Sequence, residues 1–324
     1  GNSPYSVFVA DLDGDADSDL VVANSAANSV SVLKNNGDGS FGFRVDYPTG
    51  DSAAGVYVAD VDGDSNPDIA VANLKSNTIS VLHNNGDGTF SNKFDYLTGN
   101  RPVSVFISDL DGDGDKDVAV TNSSDNTVSI FKRDGNGSLS LKVDYSTGTN
   151  PYSVFAADLD NDGDKDLAIA NFNFSSTVSI LKNNGDGIFA PKVDYSSGSF
   201  TNPVSVWAAD LDNDNDLDLA VANNNSNTVS ILKNNGGGGF ALKVDYATGK
   251  NLISIFAADL DGDSDIDLAG ANSASNSASV LKNNGDGTFS GRVDYGTGSI
   301  PSSVFASDLD GDGHRDLAIA NASG

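Results

Sequence analysis

The chain has 324 residues, a formal net charge of −28 and no cysteine or methionine, and all 46 of its acidic residues are aspartate. Such acidity opposes a phosphate backbone, which excludes nucleic acid as a partner. Disulfides are excluded by composition, and no run of 18 apolar residues is present to insert into a membrane.

In chain order, one acidic loop of pattern D-x-D-[GN]-D-x-x-x-D recurs seven times, starting at Asp11, Asp60, Asp109, Asp158, Asp210, Asp259 and Asp308. The spacing is 49 residues throughout, except for 52 between the fourth and fifth copies. A fixed period near 50 predicts one repeat domain over 1–324, with repeats starting near 4, 53, 102, 151, 203, 252 and 301. The fourth repeat shows the unit. Ser153 to Asp158 reads as an apolar strand, Leu167 to Asn171 as a second and Thr177 to Leu181, of period two, as a third. Asn183 to Gly187 is a turn sequence, and Phe189 to Tyr195 reads as the fourth strand. Four short antiparallel strands per repeat predict an all-β, seven-bladed β-propeller, its last blade only half present because the chain stops after the second strand of the seventh repeat.

Two columns run through the repeats. Phe8, Tyr57, Phe106, Phe155, Trp207, Phe256 and Phe305 each stand three residues before a loop, which predicts packing between adjacent sheets; Trp207 is therefore read as core filler and not as a sugar platform. Arg44, Lys93, Lys142, Lys192, Lys243 and Arg292 precede Asp-Tyr pairs in the fourth strand, where charge is expected to blunt an outer edge.

The loops are the candidate metal sites. Calcium takes six to eight oxygens from carboxylates and carbonyls, and aspartates at positions one, three, five and nine can converge on one ion while position seven offers its carbonyl. The candidate ligands are Asp11, Asp13, Asp15, Asp17 and Asp19, then Asp60, Asp62, Asp64, Asn66 and Asp68, then Asp109, Asp111, Asp113, Asp115 and Asp117. They continue with Asp158, Asp160, Asp162, Asp164 and Asp166, then Asp210, Asp212, Asp214, Asp216 and Asp218. The last two sets are Asp259, Asp261, Asp263, Asp265 and Asp267, and Asp308, Asp310, Asp312, His314 and Asp316. Seven divalent ions would halve the formal charge to about −14. Glycine or asparagine at position four suits left-handed backbone. An EF-hand is ruled out by the absence of glutamate, and two histidines (His83 and His314) without cysteine do not suggest zinc.

The unit resembles the FG-GAP/VCBS repeat, the blade of integrin α-subunit heads and of many secreted bacterial proteins. The resemblance spans essentially the whole chain and is carried by D-L-D-G-D-G-D-K-D, V-A-V-T-N, T-V-S-I-F and N-N-G-D-G-T-F; a literal Phe-Gly survives at Phe41-Gly42, and no Gly-Ala-Pro triplet occurs. It implies calcium between the first and second strands. It leaves function open, because adhesion modules, a mushroom lectin and domains attached to polysaccharide lyases share the repeat.

The departures from the pattern point to partners. The half-blade predicts either that its remainder lies outside this chain or that another chain pairs with the open edge, head to tail. A first residue of glycine without a leader segment fits a processed or excerpted chain. The longer fourth interval places Phe172, Phe174 and Phe200 on the face opposite the loops, as low-ranking candidates for a glycan or peptide contact. The expected function is an extracellular, calcium-stabilised propeller for adhesion, surface or fibre assembly; the alternative is a lectin, and a polysaccharide lyase or its accessory domain ranks below both. No set of groups suited to acid–base catalysis is recognised, so no enzyme is expected.

Overall fold

The computed structural model describes residues 1–133, 138–173 and 176–323. Among them, six antiparallel four-stranded sheets follow one another, each a meander of strands one to four, and a two-stranded sheet of Ser299–Ser307 and Asp316–Ser323 comes last. In the fourth sheet the strands are Pro151–Ala157, Asp166–Asn171, Thr177–Leu181 and Val193–Ser196. The complete propeller pattern of four-stranded blades therefore holds for six repeats, and the seventh contributes two strands.

The first strands face one another around the axis, and one serine column joins them. The backbone N–H of Val154, Val206, Ile255 and Val304 each donates to a serine Oγ of the preceding sheet, at 3.3 to 3.4 Å. Val7 donates in the same way to Ser303, so the seventh sheet meets the first and the ring closes. Gly55 replaces serine in the second sheet, where a Cβ would lie 2.6 Å from the carbonyl oxygen of Val103. The aromatic column forms a second closed ring. Successive centroids are 4.4 to 4.9 Å apart from Phe8 through Trp207 to Phe305 and back to Phe8. Tilted aromatic pairs at this spacing are favourable beyond their burial. Trp207 is one member of that ring.

Second strands such as Asp68–Asn73 are buried along their whole length, which explains why they read as apolar runs instead of alternating. Between sheets, Val21, Val30 and Val32 pack with Val56, Val58 and Ile69.

The fourth strands show where the Asp-Tyr pairs belong. In the fourth sheet, Asn171 Nδ2 donates to Ser179 Oγ at 2.9 Å, and Ser179 Oγ donates to Asp194 at 2.6 Å. Lys192 caps the same Asp194. The basic column is thus held by ion pairs within its own strand, in addition to lying on an outer edge. The tyrosines reach the next sheet: Tyr145 stands edge-on to Phe189 at 5.3 Å, and Tyr195 to Phe240 at 5.2 Å.

The longer loops of the fourth interval meet through Ser176, whose buried Oγ accepts the N–H of Thr201 at 2.9 Å and of Asn202 at 3.3 Å. Phe172 does not stand out from the rim as expected, because it packs on Tyr152 at 5.4 Å and joins a core cluster. Phe200 is 61% exposed. Phe174 lies outside the described residues.

Candidate metal centres

Each acidic loop joins the first strand to the second, and its shape follows from where its own carboxylates accept hydrogen bonds. Position one ties the turn: Asp11 accepts the N–H of Gly14 at 2.8 Å and of Ala16 at 2.9 Å. These donors come from positions four and six, and both positions are left-handed. Position four has φ between 62° and 83° in all seven copies. Position six follows, at 73° for Ala16 and Ser65 and 97° for Gly163. The sequence predicts the first of these; the second is signalled only by Gly114, Gly163, Asn215 and Gly313. Position five accepts the N–H of position seven, as Asp15 does from Asp17 at 3.0 Å.

Position nine is the floor of the site. Asp117 is fully buried, and its two oxygens accept the N–H of Leu110 and of Arg133, both at 2.9 Å. Burial pushes its pKa, and those of Asp166 and Asp218, up to about 6, against the pull of these backbone donors and with further push from neighbouring aspartates. Asp19 and Asp267 are raised by the same burial. At the rim, Asp261 is held below the ordinary range by Lys282.

Ligand oxygens converge within 4.8 Å of one another in the sets Asp11–Asp13–Asp15, Asp60–Asp62–Asp64, Asp109–Asp111–Asp117 and Asp158–Asp160–Asp166. Among the loop carboxylates, Asp13, Asp158, Asp160 and Asp212 keep a buried oxygen with no hydrogen-bond partner. Carboxylate oxygens that are crowded, buried and unpaired suit a hard divalent cation. The side chains at position seven turn to neighbours instead. Asp115 pairs with Arg133 at 2.8 Å, and Asp216 and Asp265 receive Asn161 and Asn213 from the adjacent loop at 2.5 and 2.9 Å. Their carboxylates are thus engaged elsewhere, and the carbonyl remains the group that position seven offers. His314 is exposed, and its N–H donates to Asp312 at 2.8 Å.

Two further groups shape the loops. A lysine after the third strand meets position three, as Lys34 meets Asp13 at 3.1 Å and Lys233 meets Asp212 at 2.9 Å. The following asparagine crosses to the previous sheet: Asn35, Asn84, Asn183, Asn234 and Asn283 donate to the carbonyls of Leu309, Leu12, Leu110, Leu159 and Leu211 at 2.6 to 2.8 Å. Arg133 stands in for asparagine in the third sheet and reaches the carbonyl of Asp62 at 2.6 Å. The recurrent Lys-Asn-Asn-Gly was the available signal, and it was legible only as a turn.

The FG-GAP-like repeat matches the chain six times in overlapping stretches, at residues 11–71, 62–120, 109–169, 158–221, 210–270 and 259–319. The chain belongs to the FG-GAP-like repeat family. No curated protein matches it. Among solved structures, this FG-GAP-like chain is similar to a lectin of Agrocybe aegerita that recognises non-reducing terminal N-acetylglucosamine, with 20% identity, a TM-score of 0.65, and coverage of 99% of this chain and 86% of that one. It is also similar to virginiamycin B lyase from Staphylococcus aureus, with 15% identity, a TM-score of 0.67, and coverage of 94% and 88%. The biofilm matrix protein Bap1 of V. cholerae aligns with 13% identity, a TM-score of 0.57, and coverage of 97% and 73%. At these identities the likeness is one of fold.

Proposed function

We propose that this FG-GAP-like protein is an extracellular, calcium-stabilised, seven-bladed propeller that serves adhesion or surface assembly through protein–protein contact and has no catalytic role. The observation that carries the proposal is the repeated loop: crowded carboxylates on one left-handed turn geometry around a ring, with buried unpaired oxygens in the first, fourth and fifth copies. Calcium suits these oxygen donors, and loops of this kind fill most readily where calcium is millimolar, outside cells. The carboxylates with the largest upward shifts are clamped by backbone N–H groups, which favours a structural duty for them over acid–base work.

The contact surface in this proposal is the seventh sheet. Asp316–Ser323 pairs with Ser299–Ser307 and, among the described residues, with no third strand. Beside it, a cavity of about 440 Å³ is lined by Leu260, Ile266, His314 and Arg315, on the side where complete blades place a hairpin over the preceding loop. In this proposal a strand of another chain pairs with this edge, and repetition of that contact would make rings or filaments. Light-scattering mass after size exclusion, in calcium and then in chelator, tests the proposal. Multimers in calcium support it, and a monomer at every concentration contradicts it.

A second reading, glycan binding, is favoured by the exposed Phe200 ring among small polar residues and by the similarity to a lectin. Binding on a glycan array that is lost in Phe200→Ala would support it; an array without signal would remove it.

A further inference from the structure

The second loop differs from its sisters at two positions. Asn66 stands where five other loops carry aspartate at position seven. His83 stands where five sheets carry a lysine whose Nζ lies 2.7 to 3.4 Å from the position-three aspartate. The Nδ1 atom of His83 lies 3.1 Å from Asp62 Oδ2 and 3.4 Å from Asp68 Oδ2. The same atom is buried and makes no aligned hydrogen bond. The imidazole is fixed from behind by Phe94, with centroids 5.4 Å apart.

We infer that His83, Asp62 and Asp68 form a mixed nitrogen–oxygen site for a borderline divalent transition ion, of which zinc is the type, in place of the all-oxygen site of the other loops. The three donor atoms lie within 4.8 Å of one another. In a tetrahedral zinc site with bonds of about 2.0–2.1 Å, neighbouring donors stand roughly 3.3–3.5 Å apart. The two distances from His83 Nδ1 lie at or near that spacing. Hard calcium prefers oxygen, whereas imidazole suits zinc and its neighbours in the transition series. Three protein donors leave the remaining position to water, as in open zinc sites. Asp68 also has the support expected of an oriented ligand, since it accepts the N–H of Val61 at 2.9 Å and of Asn84 at 2.8 Å. Zinc is set aside by residue counts alone, since two histidines and no cysteine do not make a zinc motif; the fold builds this set by bringing the residue that follows the third strand onto the loop. The inference stands whether or not the other loops take calcium.

The rival arrangement is an imidazolium paired with the two carboxylates, as the lysines pair in the sister loops. It is favoured by Asp68, which raises the pKa of His83 ahead of the contribution from Asp62. The test uses the whole chain in saturating calcium. Zinc chloride is titrated by calorimetry, cobalt(II) absorption is recorded in parallel, and His83→Lys, the sister residue, serves as a variant expected to fold. Uptake of one zinc per chain, a cobalt spectrum of tetrahedral intensity, and at least a tenfold loss of both in His83→Lys are expected. Absence of zinc uptake, or equal uptake by His83→Lys with an unchanged melting temperature, would overturn the inference.

Discussion

At the scale of single residues, position nine governs the loop whether or not an ion is present. Asp117→Ala would leave the N–H groups of Leu110 and Arg133 without acceptors in a buried setting. Each orphan costs about 1–3 kcal/mol, so a loss of about 2–6 kcal/mol is expected in urea titrations run with chelator. Asp113→Asn keeps an oxygen for the N–H of Asp115 and should change chelated stability by no more than about 0.5 kcal/mol, while weakening calcium uptake. The raised pKa values of Asp117, Asp166 and Asp218, at about 6, set a pH dependence. A carboxyl whose folded pKa exceeds its ordinary value favours the folded state most when protonated; that contribution is complete below the ordinary value and is lost as pH rises through about 6. The melting temperature of cation-free protein should therefore fall between pH 4 and pH 7, and a rise across that window would contradict the assignment. Aspartate at position nine was legible as a ligand candidate. Its second duty, clamping the N–H of the second residue after the third strand, was not, because that donor lies sixteen residues away from Asp117 and belongs to another turn.

At the scale of the strand and turn, hydrogen-bonded relays lock the outer part of each sheet. Ser179 joins Asn171 to Asp194 and also accepts the N–H of Gly148 at 2.9 Å, so Ser179→Ala removes three bonds at once, with an expected loss of about 1–3 kcal/mol in urea titration. Lys192→Ala breaks a partly exposed ion pair and should cost less than about 1 kcal/mol. A larger effect from the lysine than from the serine would contradict the relay. Strands and turns were legible because alternation and the Asn-Asn-Gly-Asp-Gly turn are local signals. Contacts between neighbouring sheets carry no such signal. Tyr145 meets Phe189 and Asn183 meets Leu110 only once the ring has brought consecutive repeats together. Phe172 illustrates the same limit: placed on a rim by its loop, it instead packs on Tyr152 from the strand paired with its own.

At the scale of the whole molecule, an acidic chain without disulfides closes a ring through five backbone-to-serine hydrogen bonds, seven aromatic rings and a circle of loops. The serine and aromatic circles both join the seventh sheet to the first, through Ser303 with Val7 and Phe305 with Phe8. Four or more carboxylates in each loop repel one another until a cation neutralises them, so cation binding and folding are expected to be coupled. Ring architecture and loop positions were legible from the 49-residue period, while the covering of each loop by the following sheet was not. Calorimetric titration of chelated protein with calcium, paired with thermal melts of the same samples, tests the central proposal most directly. The proposal predicts uptake of at least five ions, one for each loop with no histidine in it or against it, and a melting temperature raised by more than about 10 °C. Absence of binding heat together with an unchanged melt would contradict it.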